Sequence, residues 1–125
     1  MTILEAIGLL DEMKPNAMSP RLKMKALTTI EQLIHSEVVM RHVHTTEQEV
    51  VPVNTTDSDP TTDLIIPDPY SDVYPKWLMC EVDRQNQEDG RYNVDRAHFE
   101  NAYDTMADWY TRTHRPIQQV REFRV

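Results

Sequence analysis

The bulky aromatic side chains of this sequence are concentrated in one stretch, residues 69–116. The stretch contains both tryptophans, all five tyrosines and one of the two phenylalanines of the chain. Because aromatic side chains bury the largest areas, a small domain usually builds its core where they lie. Gly90, the only glycine outside the first predicted helix, lies near the middle of the stretch. Residues 69–116 are therefore predicted to form two helices that fold back on one another.

The length and the single cysteine limit the class of protein. A chain of 125 residues is long enough for one domain that buries about two thirds of its unfolded surface. Cys80 excludes an internal disulfide framework and is expected to be a small core or interface residue. No apolar run approaches the ~20 residues of a membrane span, and the N-terminus lacks the basic region of a signal peptide. The sequence predicts a protein that is made and used in soluble form, without membrane contact.

Two helices are predicted within residues 1–41. Thr2 and Glu5 match a capping box, and a helical stripe of apolar residues follows until Pro15. Ser19, with a proline after it, begins a second helix of about twenty residues that frays near Arg41. The positions expected to face the core are Ile3, Leu4, Ile7 and Leu10 in the first helix, and Leu22, Met24, Ala26, Leu27, Ile30, Leu33, Ile34 and Val38 in the second.

Residues 42–68 have a different composition, rich in Thr, Asp and Pro and without a helical period. Two short β-like runs, residues 49–53 and 63–66, flank a polar segment, so a long loop and a loose β-hairpin both fit. From residue 45 to residue 72 there are seven acidic residues and no Lys or Arg. The apolar residues 64–66 are expected to pack back onto the helices.

The third and fourth helices form the predicted hairpin. A turn at residues 69–73 is expected to lead into a helix that ends at Gly90 with a left-handed cap. Asn93 is expected to cap the next helix, with Asp95 near its positive end, and Pro116 to end it. The expected inward residues are Tyr74, Trp77, Leu78, Val82, Phe99, Ala102, Tyr103, Met106 and Tyr110, with Trp109 on the flank, and the expected exposed face is Glu81, Asp83, Arg84, Gln85 and Asn86.

The C-terminal residues combine apolar and basic side chains. Residues 112–125 contain four arginines and one glutamate, and the apolar positions of the last ten residues are spaced by two or three. Packing of this tail on its own core and docking of the tail on a partner are both open. An acidic middle segment and a basic tail on one small chain are also complementary between subunits.

Motifs for catalysis, metal binding and phosphate binding are missing from the sequence. With two glycines there is no P-loop or dinucleotide fingerprint. His42 and His44, with His35 before them, lack a further ligand at a recognised spacing. They are expected to be solvated histidines at the helix end, and no metal or other cofactor is expected. The serines have no nucleophile context, and the carboxylates are predicted on exposed faces, where burial does not tune a catalytic pKa. A net charge of −8 argues against independent nucleic-acid binding. We expect no enzyme.

One pattern of residues runs from Pro67 to Pro116. It consists of Pro67, Pro69, Tyr70, Tyr74, Trp77, Leu78, Met79, Tyr92, Asn93, Phe99, Ala102, Tyr103, Trp109, Tyr110, Arg112, Thr113, His114 and Pro116. Together with a first helix that ends at Lys14, Pro15 and Asn16, this pattern resembles the head–tail connector (adaptor) proteins of tailed bacteriophages, of the siphophage type. The departure is at residues 92–95, where Asn-Asn-Ser is expected, and it affects a helix cap.

The resemblance implies a virion structural protein assembled in the host cytoplasm and located in the neck of the particle. Copies are expected to form a ring of twelve below the portal protein, in contact with stopper or tail proteins, with DNA only as passing cargo. An acidic loop facing the channel would repel DNA phosphates. The expected channel-facing residues are Asp57, Asp59 and Asp63, and the expected contacts with portal or a neighbouring copy are Ile117, Val120, Arg121, Phe123, Arg124 and Val125.

The expected fold is mainly α: a single domain built as a small bundle of about four helices. It comprises a helix pair (1–41), a long acidic loop or β-hairpin excursion (42–68), a helical hairpin (69–115) and a docking tail (116–125). Two alternatives remain open. One is a small helical regulatory or binding module that acts as a monomer or dimer, and the other is a stopper protein of the same neck, which is expected to be richer in β-structure.

Overall fold

A computed structural model describes residues 1–42 and 59–114 of the chain. These residues form four α-helices: α1 (Ile3–Met13), α2 (Pro20–Glu37), α3 (Val73–Gln85) and α4 (Asp89–Thr113). One short 3-10 turn, Val39–Arg41, follows α2, and a second, Tyr70–Asp72, leads into α3. No strand occurs in the described ranges, so the mainly α prediction is confirmed. The β-like run 49–53 lies outside them, and the run 63–66 contributes one isolated bridge, from Asp63 to Thr2.

The first two helices begin where their caps predict. The Thr2 hydroxyl oxygen accepts a hydrogen bond from the Glu5 amide at 3.1 Å, and that of Ser19 accepts one from the Leu22 amide at 3.2 Å. These bonds satisfy amides that have no partner inside the helix. The first helix ends just before Pro15, because proline offers no amide proton to continue it.

All four helices contribute to one core, with α3 and α4 in the most extensive contact and α1 and α2 packed against α3. The buried apolar residues are Ile3, Ala6, Leu10, Ala26, Leu27, Ile30, Ile34, Val38, Val39, Leu64, Ile66, Val73, Tyr74, Leu78, Cys80, Val82, Phe99, Met106 and Tyr110. The expectation that residues 64–66 pack back onto the helices is confirmed at Leu64 and Ile66.

Three leucines predicted to be inward are exposed: Leu4, Leu22 and Leu33. The apolar stripes of α1 and α2 are wider than the surfaces that their neighbours cover. Ala6 fills the inward position between Ile3 and Leu10, which leaves Leu4 about 100° away around the helix.

The connection between α3 and α4 differs from the prediction. The helix ends at Gln85, and the left-handed residue after it is Gln87, with φ 57°. The amides of Gln87 and Glu88 donate to the carbonyls of Arg84 and Asp83 at 3.2 and 3.0 Å. This is a Schellman motif, which glycine usually completes.

Gly90 therefore does not cap α3, since it lies in the first turn of α4. Asn93 is likewise inside that helix and is not its cap. The backbone bonds of the Schellman motif hold Gln87 in the left-handed region, where glycine is more usual. The prediction that α3 ends with a left-handed cap at Gly90 is therefore wrong.

Lys14, Asp83 and Asp95 form an ion cluster that joins α1, α3 and α4. The Lys14 ammonium contacts the Asp83 carboxylate and lies 2.6 Å from Asp95 Oδ2. Asp83 has no exposed surface, so its predicted place on the exposed face is wrong. Burial raises the pKa of Asp83. Burial also acts to raise the pKa of Asp95, but the bonds of Asp95 to Asp83 and Lys14 outweigh it and hold that pKa below its ordinary value. The cluster fixes the end of the bundle where the short connections lie.

Lys14→Met is expected to destabilise the protein by about 3 kcal/mol, because it leaves the buried Asp83 carboxylate without its cation. The free energy of unfolding, measured by urea denaturation, provides the test. Lys25→Met is the matched control, since Lys25 is exposed on α2 and makes no ion pair with another described residue. Equal stability of the two variants would contradict a structural role for the cluster.

Candidate partner-contacting end of the bundle

One end of the bundle carries the attachment points of both segments that lie outside the described residues. The acidic segment 43–58 begins after His42, and the tail 115–125 begins after His114. The His42 ring lies 4.9 Å from the Tyr110 ring, and Tyr110 stacks on the His114 ring at 4.0 Å, both distances between centroids. The acidic segment and the basic tail therefore leave the helices within a few side chains of one another. We call this part, residues 38–42, 59–72 and 106–114, the open end.

His42 is a structural residue of the open end. It is buried, with Nδ1 2.5 Å from the Val38 carbonyl oxygen and Nε2 3.1 Å from the Thr111 hydroxyl oxygen. Since a carbonyl oxygen only accepts, Nδ1 carries a proton and donates it to the Val38 carbonyl, while Nε2 shares a hydrogen bond with the Thr111 hydroxyl. The expectation of a solvated histidine at the helix end is wrong for His42, because the 3-10 turn after α2 directs its ring onto α4.

The acidic segment returns to the bundle through a turn at Asp59. The Asp59 carboxylate accepts hydrogen bonds from the amide and the hydroxyl of Thr61, at 2.9 and 2.8 Å. These bonds to Thr61 lower the pKa of Asp59. A side chain that bonds the backbone two residues later is typical of an Asx turn.

The residues after this turn cap the beginning of α1. The Ile3 amide donates to the Thr62 carbonyl at 3.1 Å, and the Leu4 amide donates to the Pro60 carbonyl at 2.9 Å. The first amides of a helix have no partner within the helix, so residues 59–66, called here the returning segment, supply the acceptors for α1.

A buried carboxylate, Glu31, holds the same segment against α2 and α3. Glu31 has no exposed surface, and its oxygens accept from the Tyr74 hydroxyl at 2.7 Å and from the Ile65 amide at 3.1 Å. The Tyr74 hydroxyl in turn accepts from the Ile66 amide at 3.0 Å. Burial, followed by the neighbouring Glu31 charge, raises the pKa of Tyr74 well above its ordinary value. Every polar atom named here is therefore paired in the interior, where an unpaired one is costly.

Aromatic side chains connect the open end to the rest of the hairpin. The rings of Tyr70 and Trp109 stack at 4.8 Å, and those of Trp77 and Phe99 lie 5.0 Å apart. The Trp77 indole also donates to the Ala26 carbonyl at 3.0 Å, which joins α3 to α2. Much of the aromatic pattern in residues 67–114 thus occupies packing positions between α3, α4 and the 3-10 turn before α3.

The predicted site residues divide into two groups. Asp59 and Asp63 lie exposed in the returning segment at the open end. The other predicted channel residue, Asp57, and all predicted tail contacts (Ile117, Val120, Arg121, Phe123, Arg124 and Val125) lie outside the described residues. The structure thus places Asp59 and Asp63 on the surface, and the contacts of all the predicted site residues stay predictions.

Sequence reasoning missed the buried polar residues. Glu31 lies on the apolar stripe of α2, between Leu27 and Ile34, and this spacing was a usable signal of burial. Asp83 and Lys14 had no comparable signal, because each is the partner of a residue far away in sequence.

The described residues show little reactive chemistry. Burial raises the pKa of the Cys80 thiol to about 12, so it is protonated at neutral pH, and the thiolate is the nucleophilic form. Within residues 1–42 and 59–114 there is no group of three or more His, Cys, Asp or Glu arranged to hold a metal ion. No helix in these ranges is both long and apolar enough to cross a membrane.

Comparisons with protein-family models, with curated proteins and with solved structures return no match to this chain. The resemblance to phage adaptors therefore rests on the sequence pattern alone.

Tyr74→Phe is expected to destabilise the protein by about 1–3 kcal/mol, because it leaves a buried Glu31 oxygen and the Ile66 amide without the hydroxyl. The free energy of unfolding and the hydrogen exchange of the Ile65 and Ile66 amides measure the effect. Tyr70→Phe is the control, since the Tyr70 hydroxyl has no hydrogen bond to a described residue and its ring keeps the stack on Trp109. Unchanged exchange at Ile65 and Ile66 in Tyr74→Phe would contradict the role of the hydroxyl.

Proposed function

We propose that this protein is a structural subunit of a bacteriophage neck. Copies form an adaptor ring that joins the portal of the head to the tail and extends the channel through which DNA passes. The observation that carries the proposal is the attachment of two oppositely charged segments to the same end of a helical bundle. The acidic segment leaves at His42 and the basic tail at His114, and both rings contact Tyr110.

Ring assembly explains the pairing of these segments. A closed ring of identical subunits uses heterologous contacts, in which two different and complementary patches of each copy meet. The acidic segment and the basic tail are such a pair in charge. The Glu31 bonds and the Asp59 turn hold the returning end of the acidic segment, while α4 leads directly to the tail. The four helices thus form the body of the subunit, and the acidic segment and the basic tail are its contact elements.

The charge of the protein fits DNA as a cargo that passes without binding. A net charge of −8 repels phosphates, and independent DNA binding depends on neutralising them. Asp59 and Asp63 are exposed where the acidic segment returns to the bundle. In the proposed ring these residues and Asp57 face the channel, where a negative surface keeps the passage from adhering to DNA.

The portal protein, neighbouring copies and stopper or tail proteins are the partners in this proposal, and the subunit has no catalytic role. The stopper alternative implies more β-structure, whereas residues 1–42 and 59–114 contain no strand. The helical regulator alternative predicts a monomer or dimer that does not recognise portal, so the oligomeric state with portal distinguishes it.

Deletion of residues 117–125 is expected to leave the helices folded and to abolish incorporation of the protein into particles. Native mass spectrometry and electron microscopy of the purified chain with its portal test the proposal, with circular dichroism as the measure of folding. Replacement of residues 117–125 by a Gly-Ser segment keeps the length of the tail and removes its apolar and basic side chains. This variant therefore shows whether incorporation depends on those side chains or only on the length of the tail. Normal incorporation of either variant would refute the role of the tail, and a stable dimer indifferent to portal would refute the adaptor.

The triple variant Asp57→Asn, Asp59→Asn and Asp63→Asn is expected to assemble normally and to change DNA retention or ejection, because it removes negative charge from the proposed channel surface. Asparagine keeps an acceptor oxygen for the Thr61 bonds at position 59. A control with Glu12→Gln, Glu88→Gln and Asp89→Asn removes the same charge from the opposite end of the bundle, beside the short connections. Ejection measured on purified particles that is equal in both variants would mean that the acidic segment is only a spacer.

A further inference from the structure

A groove of about 290 Å³ lies between α2 and α4 and has not been used by the proposed function. Its apolar surface comes from Leu33, Phe99 and Tyr103, and three carboxylates, Glu37, Glu100 and Asp104, stand beside it. Leu33 keeps 40% of its surface exposed, which is unusual for a leucine that faces a neighbouring helix. The groove thus offers an apolar surface flanked by acids.

The groove keeps an excess of negative charge. Among the described residues that line it, Arg96 is the one cation. Arg96 donates to Glu100 at 2.9 Å, and its guanidinium carbon lies 5.5 Å from the Phe99 ring centroid. Glu37 has a 3.3 Å contact with the exposed Arg41, a kind of surface pair that contributes little. Asp104 has no ion pair with any residue in the described ranges. A ligand with apolar and basic side chains therefore suits this surface.

We infer that the groove binds the C-terminal tail, residues 115–125, of a second copy of this chain. The tail combines apolar residues with arginines, so its chemistry is complementary to the groove: Ile117, Val120 and Phe123 match the apolar surface, and Arg121 and Arg124 match the carboxylates. Its only acid is Glu122. The inference rests on the proposed function in one respect, because it supplies the contact between neighbouring copies of the ring.

The direction of the chain favours a second copy over the chain's own groove. His114 is extended, with φ −128° and ψ 131°, and Arg115 precedes a proline, which favours an extended conformation for it as well. The chain's own groove lies in the opposite direction, since Asp104 is about 14 Å back along α4 from Thr113 at 1.5 Å per residue. A return to it needs a reversal at Arg115 and Pro116, directly after α4, because residues 117–125 contain no Gly, Asn, Asp or Pro to form a later turn.

Reach and symmetry are also consistent with exchange between copies. Eleven residues follow His114, and an extended segment of this length spans at most roughly 36–40 Å. The tail and the groove are different surfaces, so each copy gives one and receives one, and the contact repeats around a ring. Because every copy has a net charge of −8, a basic tail in an acidic groove also offsets repulsion between copies.

A cysteine cross-linking experiment on the full-length chain tests the inference without portal. A copy with Leu33→Cys and a larger copy, tagged at its N-terminus, with Phe123→Cys are mixed, oxidised and separated by size. We expect a disulfide-linked heterodimer to form roughly tenfold faster than with Leu22→Cys, because docking raises the effective concentration of the two thiols. Leu22 is the matched control, since it lies on the same helix with 42% of its surface exposed. Cys80 is buried and its pKa is about 12, so it stays unreactive.

Charge reversal identifies the residues of the contact. Glu100→Arg with Asp104→Arg in the groove copy is expected to reduce the cross-linking rate to that of the Leu22 control. Adding Arg121→Glu and Arg124→Glu to the tail copy is expected to restore the rate, and circular dichroism of each variant checks that the helices are intact. A loss that is not restored in variants with intact helices would overturn the charge pairing.

Two further outcomes overturn the inference. A single chain carrying both Leu33→Cys and Phe123→Cys that links only to itself would show that the tail occupies its own groove. A mixed rate equal to that of the Leu22 control would show that the tail does not use this groove. Portal binding, measured separately, decides the adaptor proposal: a chain that binds portal without the cross-link refutes the groove alone, and one that cross-links without binding portal refutes the adaptor alone.

Discussion

Glu31 has no exposed surface, and its carboxylate accepts hydrogen bonds from the Tyr74 hydroxyl and the Ile65 amide. A buried charge of this kind is tolerated only when its oxygens are paired, so the three groups must come together for the core to close. Because Glu31 is on α2, Tyr74 on α3 and Ile65 in the returning segment, one carboxylate fixes the relative positions of all three. The placement of the open end depends on this interaction.

The two ends of the bundle are organised differently. At one end, short connections and the Lys14 ion cluster tie α1, α3 and α4 together. At the other, the rings of His42 and His114 both contact the Tyr110 ring, and the acidic segment and the basic tail follow these two residues. This division is compatible with the proposed adaptor, in which the helices form the body and the charged segments are the proposed contact elements.

The aromatic pattern that resembles phage adaptors has a structural explanation. Tyr70, Trp77 and Phe99 participate in ring contacts within the hairpin, and Trp77 also bonds the α2 backbone. The resemblance therefore concerns residues that determine the packing of this fold, while the proposed contacts use the acidic segment, the tail and the groove beside Leu33. A family resemblance carried by core residues supports a common fold more directly than it supports one function.

The sequence by itself determined the helical class, the starts of α1 and α2 at Thr2 and Ser19, and the burial of Leu64 and Ile66, because caps and apolar spacing act over a few residues. Only the tertiary structure decided which buried polar groups pair with one another and that the two charged segments begin beside the same Tyr110 ring. Lys14 and Asp83 are 69 residues apart and Glu31 and Tyr74 are 43 apart, so no local pattern reports their pairing. The α3–α4 turn has a different cause, because short-range backbone bonds around Gln87 close it without the glycine that such turns usually contain.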